Sequence, residues 1–172
     1  MPTSSFNFDT NALYASLLEQ VRNGTADCKN VAIVGIHSGG AWLAQMLARD
    51  LKLEASLGFI DVSFYRDDYA KKGLHPDVKP TQIGFNVDGA TIVLVDDVLY
   101  TGRTTRAAIN VLFDYGRPAR IMLAALADRG GRELPVAADF VGTHVTLAAG
   151  QSLVLARASD AQLTLTIEDD HA

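Results

Sequence analysis

Apolar positions along the chain fall into two kinds of run. From Asp9 to Val21, Leu13, Leu17, Leu18 and Val21 recur at helical spacing, with Asp9 or Thr10 placed to cap the helix and Asn23-Gly24 to end it. VAIVGI, Val31 to Ile36, is a short run rich in β-branched residues and reads as a strand. Ser38-Gly39-Gly40 follows, and then Leu43, Met46, Leu47 and Leu51 mark one face of a second helix. Strand, glycine turn, helix is half of a parallel βα unit.

The pattern then repeats with one interruption. ASLGFIDVSFY, residues 55–65, predicts another strand. The stretch 66–82 holds three acids, four bases, two prolines and almost no aliphatic residues. A loop of that length in a compact domain is either disordered or functional, often an active-site lid. TIVLV from Thr91 is a second buried strand that runs straight into DDVLYTGRTT, after which Ala108, Ile109, Leu112 and Phe113 mark one face of a helix. Gly116 and Pro118 stop it. ARIMLAALA, Ala119 to Ala127, is a third core strand, and DRGGRELP is a polar turn. Shorter strands are predicted around residues 139–145, 152–158 and 163–167, and their alternation points to a small antiparallel region. Glu168-Asp169-Asp170 reads as a solvated tail. The whole predicts an α/β domain with a mainly parallel sheet.

Composition narrows the class. At 172 residues and 48% hydrophobic, the chain suits one domain with a real core and excludes global disorder. No window approaches a membrane span, and the N-terminus lacks the basic start and apolar run of a signal peptide. A lone Cys28 forms no internal disulfide, and no Cys/His cluster has zinc spacing. The expectation is a cytoplasmic protein. Fifteen basic against twenty acidic residues give −5, which disfavours a chain-wide nucleic-acid surface and leaves room only for a local basic patch.

The most informative run is IVLVDDVLYTGRT, Ile92 to Thr104. Four apolar residues deliver Asp96 and Asp97 to the C-terminal end of a strand, the edge at which parallel sheets bind ligands. An unpaired buried carboxylate is costly, so such a pair calls for a ligand, a cation or hydrogen-bond donors. Thr101, Gly102, Arg103, Thr104 and Thr105 follow at a helix start, with backbone N–H groups, hydroxyls and the positive helix end. Carboxylates for a diol beside a phosphate cradle point to a sugar phosphate. The plainer alternative has the two aspartates capping the helix, but that leaves the hydroxyls and the glycine without a purpose. No GxxxxGK[ST] loop is present.

These thirteen residues resemble the phosphoribosyl-pyrophosphate (PRPP) motif of type I phosphoribosyltransferases, in the form found in the PyrR family of pyrimidine-operon regulators with uracil phosphoribosyltransferase activity. FYRDD (Phe64 to Asp68), YGRP (Tyr115 to Pro118) and DRGGRELP (Asp128 to Pro135) resemble further blocks of that family, in the same order. The resemblance implies the type I phosphoribosyltransferase fold over 1–172, with a lid at about 66–82 and a hood drawn partly from about 139–172. It assigns the ribose hydroxyls to Asp96 and Asp97 and the 5′-phosphate to Tyr100, Thr101, Gly102, Arg103 and Thr104. A tyrosine at position 100, where hypoxanthine-type enzymes generally carry an acid, favours the pyrimidine branch.

The same resemblance assigns pyrophosphate to the turn containing His37, Ser38, Gly39 and Gly40, for which a tight βα turn needing glycine is the alternative. Here the chain departs from the familiar Lys-Thr-Arg-Gly, losing a forked donor that His37 replaces only when protonated. Arg66 is implied to reach pyrophosphate on loop closure, and otherwise is a surface arginine beside Asp67 and Asp68. Arg129 is implied to approach the base or pyrophosphate, with turn packing as its alternative. Uracil is placed under a hood at about 139–150, with Val145 and Thr146 as backbone contacts, and Phe140 is read as core. Trp42, His75, His144 and Cys28 receive no chemistry.

The implied reaction is uracil + PRPP ⇌ UMP + pyrophosphate, with Mg²⁺ held mainly by substrate oxygens near Asp96 and Asp97. No Ser/His/Asp or Cys/His nucleophile is recognisable, so no enzyme-bound intermediate is expected. The implied assembly is a homodimer or higher homo-oligomer. Alternatives are a UMP-sensing, RNA-binding attenuator with weak or no catalysis, and transfer to another base. RNA is disfavoured by the net charge.

Overall fold

The computed structural model describes residues 6–63 and 80–170. Arg66 and nearly all of the polar stretch 66–82 fall outside them. Helix α1 (Thr10–Thr25) is followed by β1 (Val31–Ile36), α2 (Gly39–Leu51), a 3₁₀ turn (Glu54–Ser56), β2 (Leu57–Ile60), β3 (Gln82–Ile83) and β4 (Thr91–Leu99). Then come α3 (Arg103–Tyr115), β5 (Arg120–Asp128), β6 (Phe140–His144), β7 (Gln151–Arg157) and β8 (Leu163–Asp169). Among the described residues one sheet has the order β3-β2-β1-β4-β5-β6, parallel except for β3, and β7 pairs antiparallel with β8.

Alternation along the central strands sorts the core onto two faces. Ile33, Val93, Val95, Met122, Ala124 and Leu126 meet Leu17 and Val21 of α1 and Leu43 and Leu47 of α2. Ala32, Val34, Ile92, Leu94, Leu123 and Ala125 meet Ala107, Ala108 and Leu112 of α3. Each large apolar side chain so buried contributes roughly 2 kcal/mol, enough to offset the about 1–2 kcal/mol of backbone entropy lost per ordered residue. Burial on both faces is why these strands read as continuous apolar runs.

Four local features depart from the sequence pattern, each for a visible reason. Asp9 does cap α1, accepting from Ala12 N at 3.1 Å, but the helix passes Asn23-Gly24 and ends at Thr25. Gly24 serves packing instead, because a Cβ there would lie 2.4 Å from the Phe140 ring. Strand β2 stops at Ile60, where the Asp61 carboxylate turns the chain by accepting from Ser63 N at 2.8 Å. Phe113 is 56% exposed, since the inward stripe of α3 runs through Thr105, Ala108 and Leu112.

Strand β6 is the fourth. It joins the main parallel sheet beside β5, so the antiparallel region comprises β7 and β8 alone. Gln20 of α1 covers its outer edge, donating to Val141 O at 2.8 Å and accepting from Val141 N at 3.0 Å, which closes an edge otherwise open to pairing. The β7–β8 hairpin is tied to the body by Leu165 N, which donates to Thr10 Oγ1 at 3.1 Å, and by Arg157, whose guanidinium lies 4.8 Å over the Trp42 ring. Glu168 and Asp169 end β8, exposed to solvent.

Candidate active site

The C-terminal strand ends open into a cleft of about 600 Å³. Asp96 and Asp97 sit on its wall, carried by the C-terminal half of β4. Asp96 is only 8% exposed. Its Oδ1 accepts from Asp97 N at 2.9 Å, and Asp97 Oδ1 accepts from Val98 N at 2.8 Å. The backbone thereby fixes both carboxylates at the mouth of the strand.

Helix α2 begins against this pair. A Cβ on Gly39 would lie 2.4 Å from Asp97 Oδ2, and one on Gly40 would lie 2.3 Å from Val95 O. Both glycines are therefore required by close approach of the helix start to β4. His37 and Ser38 line the cleft, joined by a cis peptide bond, whereas Gly39 and Gly40 stand behind them and carry the turn.

Opposite lies the start of α3. Gly102 precedes it at φ +93°, a conformation that favours glycine. Residues Tyr100 to Thr105 all line the cleft. Thr101 Oγ1 accepts from Arg103 N at 3.2 Å. The Thr105 hydroxyl is buried with no hydrogen-bond partner, and the residue is 2% exposed. An orphaned buried hydroxyl costs about 1–3 kcal/mol, and this one belongs to a residue of the cleft wall in the first turn of a helix, where backbone N–H groups also have no partner within the helix.

The segment after β5 completes the wall. Arg129 stacks 3.8 Å over the Tyr100 ring and donates to Gln151 O at 3.4 Å, bridging the cleft and the β7–β8 hairpin. Arg103 Nε donates to Glu133 Oε1 at 3.3 Å. Burial would raise the Asp128 pKa, but hydrogen bonds from Arg132 and Gly130 N–H outweigh it and hold the carboxyl below its ordinary value.

Of the residues proposed from sequence, Asp96, Asp97, His37, Ser38, Arg129 and the run Tyr100 to Thr104 gather in the cleft. Arg66 lies outside the described residues. Val145 and Thr146 do not line the cleft: Val145 N donates to Asp128 O at 2.9 Å while its side chain packs on the core, and Thr146 is exposed. Ser152 and Leu153 of β7 do line it, as do Val62, Ser63 and Glu133, none of which the sequence singled out. Val62 and Ser63 follow a parallel strand end, which is the one signal that pointed to them.

A model of the phosphoribosyl transferase domain matches residues 9–152, most of the chain. The chain belongs to the phosphoribosyltransferase family. Within it, a bifunctional protein PyrR from Ralstonia nicotianae is 51% identical over 170 residues, 96% of this chain and 97% of the relative. The PyrR of Nitrosococcus oceani is 44% identical over 169 residues, covering 96% and 94%. These relatives place the chain in the PyrR branch. Two solved structures share the fold: a hypoxanthine-guanine phosphoribosyltransferase of Bacillus anthracis (TM-score 0.64, 19% identity, covering 83% and 84%) and a hypoxanthine phosphoribosyltransferase of Staphylococcus aureus (TM-score 0.63, 19% identity, covering 85% and 80%). The phosphoribosyltransferase chemistry is pentosyl transfer. No helix among the described residues is long and apolar enough to cross a membrane.

Proposed function

We propose that the cleft transfers the phosphoribosyl group of PRPP to uracil, releasing UMP and pyrophosphate. The supporting observation is the pairing of two strand-end carboxylates with an anion cradle that ends in the orphaned Thr105 hydroxyl. In this reading the N–H groups at the start of α3 and the Thr105 hydroxyl hold the 5′-phosphate. Asp96 and Asp97 accept hydrogen bonds from the ribose hydroxyls and offset the positive charge that grows on the ribose as pyrophosphate departs. His37 and Ser38 flank the leaving group. Tyr100, Arg129, Ser152 and Leu153 remain for the base. Catalysis then consists of positioning and charge stabilisation.

Among the described residues no group of three or more His, Cys, Asp or Glu gathers as a metal cage. The two aspartates are adjacent hard oxygen donors on the cleft wall, a donor set suited to a Mg²⁺ that keeps waters and substrate oxygens as its main ligands. Bound, that ion supplies neutralisation of the leaving pyrophosphate.

Thr105→Val separates ligand binding from folding. Removing an unpaired hydroxyl should leave thermal stability unchanged or slightly raised, while ribose 5-phosphate binding weakens about tenfold or more through loss of a charge-assisted bond. Calorimetry on UMP and uridine checks the reading itself: UMP should bind at least about a hundredfold more tightly. Equal binding of the two would remove the phosphate site from the cleft.

The relatives are called bifunctional, which raises RNA binding as a second role. The charge pattern weighs against it. Arg22, Arg49, Arg103 and Arg132 are each engaged by a neighbouring carboxylate, on a chain of net charge −5. Phosphate neutralisation by Lys and Arg is what carries such binding. A gel shift with the leader RNA of its own pyrimidine genes should show no submicromolar, UMP-dependent complex. A complex that discriminates against a scrambled leader would establish regulation.

A further inference from the structure

The segment between β5 and β6 grips the phosphate cradle by three consecutive carbonyls. Leu99 O accepts from Arg129 N at 3.0 Å, and Thr101 O accepts from Glu133 N at 2.9 Å and Leu134 N at 3.1 Å. Between them, Tyr100 O accepts from Arg132 Nη1 at 2.7 Å. In a trans peptide the carbonyl and the following N–H point to opposite sides. Carbonyls drawn onto this segment therefore turn the N–H groups of Tyr100, Thr101 and Gly102 the other way. Residues 100–105 are the ones that line the cleft.

Arg132 holds this arrangement from behind. Its Nε donates to Val136 O at 2.8 Å and its Nη2 to Asp128 Oδ2 at 2.6 Å, so one guanidinium ties Asp128 and Val136 to the middle one of the three carbonyls. The side chain is 24% exposed and is not part of the cleft wall. A planar fork makes three such bonds in fixed directions, which a lysine ammonium on a flexible stem does not reproduce.

We propose that Arg132 is a positioning residue that sets the affinity of the cleft for the phosphate end of its substrate without touching it. Through the Tyr100 carbonyl it aims the cradle's N–H groups. The inference rests on the reading of the cleft as a PRPP site.

The test uses the full chain with Arg132→Lys and Arg132→Met. Steady-state kinetics give kcat and the KM for PRPP and for uracil, calorimetry gives the Kd of ribose 5-phosphate, and thermal melting reports stability. Both variants should raise the KM for PRPP and the Kd for ribose 5-phosphate about tenfold, with kcat and the KM for uracil within about threefold of wild type. Unchanged ribose 5-phosphate affinity, with or without a lower Tm, would reduce Arg132 to a structural tie and overturn the proposal. So would full affinity in Arg132→Lys, because charge alone would then suffice. Should Arg132→Met fail to fold, Asp128→Asn keeps an acceptor oxygen while removing the charge that anchors Arg132. It should raise the ribose 5-phosphate Kd about threefold, and no change would overturn the proposal. Wild-type protein that binds no ribose 5-phosphate would sink the cleft reading and this inference with it. Wild type that binds it as tightly as the variants do would sink the inference alone.

Discussion

Replacing Asp96 or Asp97 by asparagine is expected to cut kcat/KM for PRPP about a hundredfold or more, with the fold intact. Asparagine keeps the shape and the acceptor oxygen that receives Asp97 N or Val98 N, so the local backbone bonds survive. What disappears is one negative charge at the strand mouth. Charge-assisted bonds contribute about 1.5–3 kcal/mol each, and about 2.7 kcal/mol corresponds to a hundredfold in rate. Steady-state kinetics alongside thermal melting decide the matter, and near-wild-type kcat/KM in both variants would withdraw the ribose assignment.

Gly39→Ala should produce a loss of similar size from a residue that lends no functional group. The added methyl would stand 2.4 Å from Asp97 Oδ2, so either the α2 start or the carboxylate must retreat by about 1 Å. Misplacement on that scale costs about a hundredfold in rate when the displaced group acts on the reacting centre. The overpacking itself should lower stability by about 1–3 kcal/mol. Gly84→Ala is the control, since a Cβ there meets nothing within 4 Å and should leave both activity and Tm unchanged. Wild-type turnover in Gly39→Ala would mean that Asp97 has no fixed place in catalysis.

The carboxylate pair and the cradle were legible in the sequence because their chemistry is contiguous. Strand, acids, hydroxyls and glycine follow one another from Ile92 to Thr105, so one pass along the chain meets them all. The supports were not legible, because they are remote. Arg132 lies 32 residues from the Tyr100 carbonyl it holds, and Ser152 reaches the cleft from a hairpin with no motif of its own. For the same reason nothing in the sequence points to Ser152 and Leu153 of β7, which line the cleft, whereas Val145 and Thr146, which follow directly on β6, do not line it. Alternation along residues 139–145 suits an antiparallel strand, but in β6 it reflects an edge strand covered by a helix, with Phe140 buried and the rest partly buried or exposed. Phe113 misled in the opposite direction: it is apolar, falls on the predicted face, and is exposed.

The most direct test is a turnover assay with PRPP and Mg²⁺ against a panel of bases that includes uracil, hypoxanthine, guanine and adenine, following nucleotide and pyrophosphate together. Uracil should give UMP and pyrophosphate in equal amounts, with kcat/KM at least about a hundredfold above that of any purine. A purine preferred over uracil, or no pyrophosphate released with any base, would contradict the assignment of this cleft to uracil phosphoribosyl transfer.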